Sequence, residues 1–219
     1  MKISIAIPKS RIAAYVLVAA GVALLGYVGI QYGVMYRTQR ELSRQFAEQQ
    51  ERLAAQQNSA ATTDSTFGAK PQPDSLIRLS IPKINLDAIV VEGSTRKALL
   101  KGPGHLETTA YPGEDGNVVI TAHRDTFFRN IYELKNGDTI QVQRNGATFL
   151  YEVTGKKVVD PADMSVAAPT KDAHLTLITC YPTYYIGPAP ERLVVFSRLL
   201  PRGAESKLEK TATSKASQQ

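Results

Sequence analysis

Residues 12–36 carry no charge and consist mostly of Ala, Val, Leu, Ile and Gly. An apolar run of this length is hard to place in a water-soluble fold, whereas about 20 such residues cross a bilayer as one helix. A cleaved leader is the alternative, but its apolar core is usually only ~7–15 residues and is followed by a small-residue cleavage site. No such site follows here, so the run is read as a retained single-pass anchor. Lys2, Lys9 and Arg11 precede it and Arg37, Arg40 and Arg44 follow it. This near balance leaves the orientation open by charge. The tail at residues 1–11 is too short to carry a function, which must lie on the C-terminal side.

Residues 37–57 are rich in Gln, Glu, Arg and Ala and favour helix. Leu42, Phe46, Gln49 and Leu53 follow a 4-3-4 spacing, the seam of a short coiled coil. With only two heptads and one polar seam position, a solvated helical stalk is the preferred reading. Residues 58–74 turn to Ser, Thr, Gln and Pro and read as a flexible linker. Thus residues 37–74 form stalk and linker, 75–201 the folded unit, and 202–219 a polar tail read as disordered.

The folded unit is written in short β runs between Gly/Pro turns. These are Leu79-Ser80-Ile81, Ala88-Ile89-Val90-Val91, Val118-Val119-Ile120, residues 139–143, residues 149–153, Leu175-Thr176-Leu177-Ile178 and Leu193-Val194-Val195-Phe196. Asn145-Gly146 predicts a type I′ hairpin turn, because both residues tolerate positive φ. Helical pieces are expected only at residues 95–100, around 127–134 and at 161–166. The pattern points to an all-β sandwich or barrel.

The net charge of +6 invites a nucleic-acid reading, but no basic stripe with interleaved aromatics exists, so nucleic acid is not expected as a partner. One cysteine excludes an intrachain disulfide and a cysteine-rich zinc site. His105, His123 and His174 fit no metal motif, and neither metal nor cofactor is expected. His105, in a Gly/Pro turn, and His174, opening a strand, are read as structural.

Three features carry chemistry. Thr121-Ala122-His123-Arg124-Asp125 ends one strand, Thr176-Leu177-Ile178-Thr179-Cys180 ends another, and Arg192 opens the last. A thiolate is a nucleophile, a neighbouring His carries its proton to a leaving amine, and a guanidinium stabilises the oxyanion of acyl transfer. Taken singly, Cys180 reads as a small buried hydrophobe, His123 as a hydrogen-bonded structural residue, Arg192 as a solvated face or ion pair, and Asp125 as a helix cap.

Taken together, Thr176-Leu177-Ile178-Thr179-Cys180 resembles the TLxTC motif of the sortases, bacterial cysteine transpeptidases that sort proteins to the cell surface. Tyr181-Pro182, the run Gly187-Pro188-Ala189-Pro190-Glu191-Arg192, and the segment Asn117 through Arg129 around His123 continue the likeness, as do Gly102-Pro103-Gly104-His105 and Ala110-Tyr111-Pro112-Gly113. Ala122 stands where Gly is more usual. The resemblance spans residues 76–200 and implies an eight-stranded β-barrel. It implies Cys180 as nucleophile, His123 as acid/base and Arg192 as oxyanion or substrate stabiliser, with Ala122, Thr179, Tyr181 and Gly187 beside the substrate. The implied activity is cleavage of an LPxTG-like signal on secreted proteins through a thioacyl enzyme, and transfer to an amine of the cell wall or of another protein. The implied location is the cell membrane, with the catalytic unit extracytoplasmic. The contexts of Cys180 and His123 look most like class D. A class C enzyme is disfavoured because residues 58–79 hold no Asp-Pro-aromatic lid motif, and no acidic cluster matches the family's calcium site. Tyr184 and Tyr185 join Tyr181 as aromatics near a groove. The competing readings are a cysteine peptidase releasing to water and a non-catalytic, membrane-tethered scaffold. An L,D-transpeptidase lacks support, its S-H-G-C context being absent.

Overall fold

The computed structural model describes residues 9–60, 76–184 and 187–201. The short N-terminal tail to residue 8, most of the expected linker, Tyr185 and the polar tail lie outside these residues. The chain divides into two compact units, Met1–Thr38 and Gln39–Gln219. Helix α1, Lys9–Ala60, runs through the boundary and extends past the point where a linker is expected to begin. In the first unit it contains a stretch long and apolar enough to cross a membrane. Most of its apolar side chains there are exposed: Leu17 and Leu25 are each 73% exposed.

The second unit is a closed barrel of eight strands. They are β1 (Ile77–Ile81), β2 (Leu86–Glu92), β3 (Gly104–His105), β4 (Asn117–Ala122), β5 (Thr139–Arg144), β6 (Ala147–Val159), β7 (His174–Tyr181) and β8 (Glu191–Leu199). Around the barrel the order is β1-β2-β3-β4-β7-β8-β6-β5. Closure removes every sheet edge and encloses one apolar interior. Period-2 alternation fills it with Leu79 and Ile81, Val118 and Ile120, Ile140 and Val142, Leu175 and Leu177, and Val195. The β5–β6 hairpin turns on Asn145 (φ 52°) and Gly146 (φ 76°), as the type I′ reading requires. Strand β6 pairs first with β5 and then with β8, with an irregularity between Val153 and Gly155 that lets it change partners. At Gly113 (φ 91°) the ring of Phe149 lies where a Cβ would stand, so only glycine fits there.

Helix is sparser than expected. Residues 95–100 do form a helical turn, α2 (Arg96–Leu99), capped by the Thr95 side chain. Around residues 127–134 there is only a 3₁₀ turn, Ile131–Glu133, and Asp125 caps no helix. The expected helix at 161–166 is a 3₁₀ turn at Met164–Ala167.

The expected solvated stalk is corrected. Within the second unit the 4-3-4 face of α1 packs on the barrel: Phe46 is 4% exposed, and Leu42, Gln49 and Leu53 are partly buried. Gln39 explains the docking. On the β3 side of β2, the N–H groups of Val91 and Gly93 donate to Pro103 and His105. The next N–H in that row, Ile89, lies beyond the reach of two-residue β3. The Gln39 side chain completes the row: Oε1 accepts from Ile89 N (2.9 Å), while Nε2 donates to Ile89 O (3.0 Å) and Lys101 O (2.7 Å). A primary amide does this because it offers both donor and acceptor, as a peptide bond does. Gln39→Ala is therefore expected to lower unfolding free energy by about 2 kcal/mol, the cost of orphaned buried backbone groups. Thermal unfolding of the detergent-solubilised chain should show a Tm lower by about 4–8 °C; an unchanged Tm would mean that water replaces the amide without loss.

Candidate active site

Strands β4, β7 and β8 lie side by side. The parallel pair β4–β7 aligns Ala122 with Thr179, and the antiparallel pair β7–β8 aligns Cys180 with Arg192. One step beyond the Ala122–Thr179 pair come His123 and Cys180. Three residues read as chemically active from separate stretches thus form one row across three neighbouring chain segments. Adjacent strands are about 4.8 Å apart, within side-chain reach. Parity gives them a common face: Ala122, Leu177 and Leu193 point into the core, so His123, Cys180 and Arg192 point outward. All three are partly exposed, and Cys180 is a free thiol.

The row is braced from beneath. Thr179 Oγ1, 1% exposed, donates to the Ala122 carbonyl at 2.8 Å. At the other end of the same strand pair, Thr176 Oγ1 donates to Asn117 Oδ1 at 2.7 Å. Each threonine of the Thr176-Leu177-Ile178-Thr179-Cys180 motif therefore ties β7 to β4, one at each end of the pair. The side chains of Ala122 and Thr179, expected beside the substrate, are turned inward and stand behind the row. Tyr181 likewise packs against the core. Gly187 is exposed, at φ 110°, and Tyr184 is 84% exposed. Beyond His123 the chain turns back at once, its carbonyl accepting from Phe128 N at 3.1 Å, and Phe128 is fully buried. His123 is thus held between a strand end and a core anchor.

Arg124 was not singled out by the sequence. Its Nη1 donates to Pro182 O (3.0 Å) and its Nη2 to Gly187 O (2.7 Å). One guanidinium so bridges both shoulders of the β7–β8 connection and ties it to the His123 segment. The Arg192 guanidinium also meets this connection, with Nη1 2.9 Å from Glu191 O and 3.4 Å from Ala189 O. Arg124→Gln should lower kcat/KM about tenfold, the effect of losing one charge-assisted hydrogen bond of ~1.5 kcal/mol. Peptide kinetics beside a thermal melt would check this, with the melt nearly unchanged. The residue is a positioning group, so an equal loss of stability and activity would argue instead for a purely structural role.

His105, expected in a Gly/Pro turn, lies instead in strand β3. It is fully buried, with Nδ1 2.8 Å from Glu92 Oε1 and Nε2 3.0 Å from Ala110 O, and its ring lies 4.6 Å from that of Tyr111. His174 opens β7 and meets the Asp172 carbonyl through Nδ1 at 2.9 Å.

Residues 79–200 match the sortase domain family. The chain is 33% identical over 187 residues to sortase D of Bacillus subtilis (strain 168), covering 83% of this chain and 94% of that one. It is 34% identical over 107 residues to sortase A of Bacillus anthracis, covering 47% of this chain and 50% of the other. Among solved structures, a sortase D5 transpeptidase of Clostridium perfringens superposes with TM-score 0.58 at 28% identity, covering 77% of this chain and 99% of that one. The eight-stranded barrel, its row of Cys, His and Arg, and these matches agree that the chain belongs to the sortase family of cysteine transpeptidases.

Proposed function

We propose that this chain is a class D-like, membrane-anchored sortase that cleaves an LPxTG-like signal on secreted proteins and passes the acyl group to an amine. The observation that carries this reading is the alignment of His123, Cys180 and Arg192 on one outward face of β4, β7 and β8. In the reaction, the Cys180 thiolate attacks the carbonyl of the signal's Thr. Arg192 supports the oxygen that gains negative charge. His123 as imidazolium gives its proton to the departing Gly amine, and a thioester remains on Cys180. An incoming amine then attacks the thioester, the thiolate departs, and the amine's proton passes to His123. Residues 12–36 hold the enzyme in the cell membrane with the barrel outside the cytoplasm, where secreted substrates emerge.

The test is incubation of the full chain in detergent with an LPxTG-type peptide, with and without an amine acceptor. Mass spectrometry should find the thioester on Cys180 and an amine-linked product. Product with water alone, unchanged by added amine, would favour a peptidase. Absence of any acyl-enzyme over a library of sorting-type peptides would sink the assignment.

A further inference from the structure

Asn117 is a polar residue on the barrel wall that is only 5% exposed. Val118, Ile120 and Ala122 of β4 fill the core, so strand parity turns Asn117 outward, onto the face that also carries His123. Both polar atoms of its side chain are engaged. Nδ2 donates to Val166 O (3.1 Å) and Ala168 O (3.2 Å), and Oδ1 accepts from Thr176 Oγ1 (2.7 Å). The amide can lie only this way round, because the two carbonyls accept and cannot donate.

Val166 and Ala168 belong to the connection between β6 and β7, residues 160–173. It leaves β6 after Val159, which pairs with Arg192, itself paired with Cys180. The connection thus starts level with the row of His123, Cys180 and Arg192. It re-enters the sheet at His174, which pairs with Asn117 at the far end of β4. Six residues separate His174 from Cys180, about 20 Å of strand. Between these ends the chain crosses from β6 to β4 past β8 and β7, and it passes outside them, since the interior is filled. Val194 and Thr176 mark the crossing: both point outward, yet they are 0% and 2% exposed. Thr121 and Ile178, the outward pair next to His123 and Cys180, stay partly exposed. A strip of open sheet is therefore left beside the row, bounded on its far side by the connection. Side chains within the connection shape it locally: Asp160 accepts from Ala162 N, Asp163 accepts from Ser165 N, and Thr170 donates to Asp172 O. The Asn117 amide joins this shaped loop to the barrel.

We propose that Asn117 is a positioning residue for the peptide substrate. Its amide pins Val166 and Ala168 on the outer face of β4 and so sets the width of the strip in which a peptide lies beside Cys180. This rests on reading the chain as an enzyme that cleaves a sorting signal. Asn117 stands six residues of strand, about 20 Å, from His123. It therefore acts on how the peptide is held and leaves the bond-breaking step to the row.

The test is Asn117→Asp in the full chain in detergent. The carboxylate keeps an acceptor for Thr176 Oγ1 but turns an oxygen toward two carbonyls, so both bonds to the connection are lost. KM for an LPxTG-type peptide should rise about tenfold, the joint effect of two ordinary hydrogen bonds, with kcat within twofold of the parent. Alkylation of Cys180 by iodoacetamide, which needs no peptide site, should keep the parent rate. Hydrogen exchange should quicken across residues 164–168 and stay slow in β4 and β7. Faster exchange with an unchanged KM would overturn the positioning role, as would a loss of kcat that follows a loss of Tm. Unchanged exchange would overturn the pin itself. If the variant does not fold, the Cys180→Ala chain decides: bound peptide should slow exchange over residues 164–168, and no slowing overturns the proposal. A parent that alkylates normally yet cleaves no sorting-type peptide would remove the substrate reading, and the positioning role with it.

Discussion

Cys180→Ala is expected to abolish transpeptidation and peptide cleavage together, lowering kcat/KM by about 10⁴-fold or more, as removal of an attacking nucleophile does elsewhere. No second thiol exists in the chain to take its place. The substitution should leave the fold alone, because Cys180 is partly exposed on the outer face and makes no contribution to the interior cluster. An unchanged melt together with lost turnover is therefore the informative result. Mass spectrometry should also show the acyl adduct disappear. Activity within tenfold of the parent would remove Cys180 as nucleophile and with it the mechanism proposed above.

The second large effect is expected at His123. Its ring stands in the same row as Cys180, and no side-chain hydrogen bond engages it among the described residues. A group that must first give and then regain a proton needs such freedom. His123→Ala should cost about 10²–10⁴-fold in kcat, the usual share of a positioned acid/base. The sharper readout is the pH profile. A coupled thiol and imidazole give a bell whose limbs belong to the pair. The parent should show both limbs, and the variant should lose one. A parent profile flat through neutral pH would mean that another group carries the proton.

The two variants probe residues that were legible for different reasons. Cys180 stood out by arithmetic, as the one thiol, and His123 by its motif at a strand end. That they are neighbours is a property of the β4–β7 register, which pairs residues 57 positions apart. Strand runs such as Val118-Val119-Ile120 and Leu193-Val194-Val195-Phe196 were readable because burial imposes a short apolar period. Strand β3 was not, because two residues carry no period and its rungs are supplied by β2 and β4. The helix expected around residues 127–134 failed for a related reason. Phe128, Ile131 and Leu134 are core anchors at helical spacing, but the chain between them is spent on turns that return it to the barrel.

The apolar face of α1 illustrates the limit from the other side. Spacing at Leu42, Phe46, Gln49 and Leu53 correctly marks a face that seeks cover, yet periodicity names no partner. A second helix and a barrel wall satisfy it equally, and only tertiary packing chose the wall. Gln39 was silent, and Arg124 stood in the His123 motif without a role of its own, since a single Arg or Gln has no pattern. Their value lies in backbone groups of Pro182, Gly187 and Ile89 that only the folded chain brings to them. By itself the sequence determined the apolar anchor segment, the β-rich unit and the identities of thiol, imidazole and guanidinium, because hydrophobic patterning and side-chain chemistry are local properties. The tertiary structure decided that Cys180, His123 and Arg192 share one face, and that Ala122 and Thr179 stand behind it. Strand register and barrel closure are long-range pairings, and the parity they impose on each side chain exists only once the strands have met.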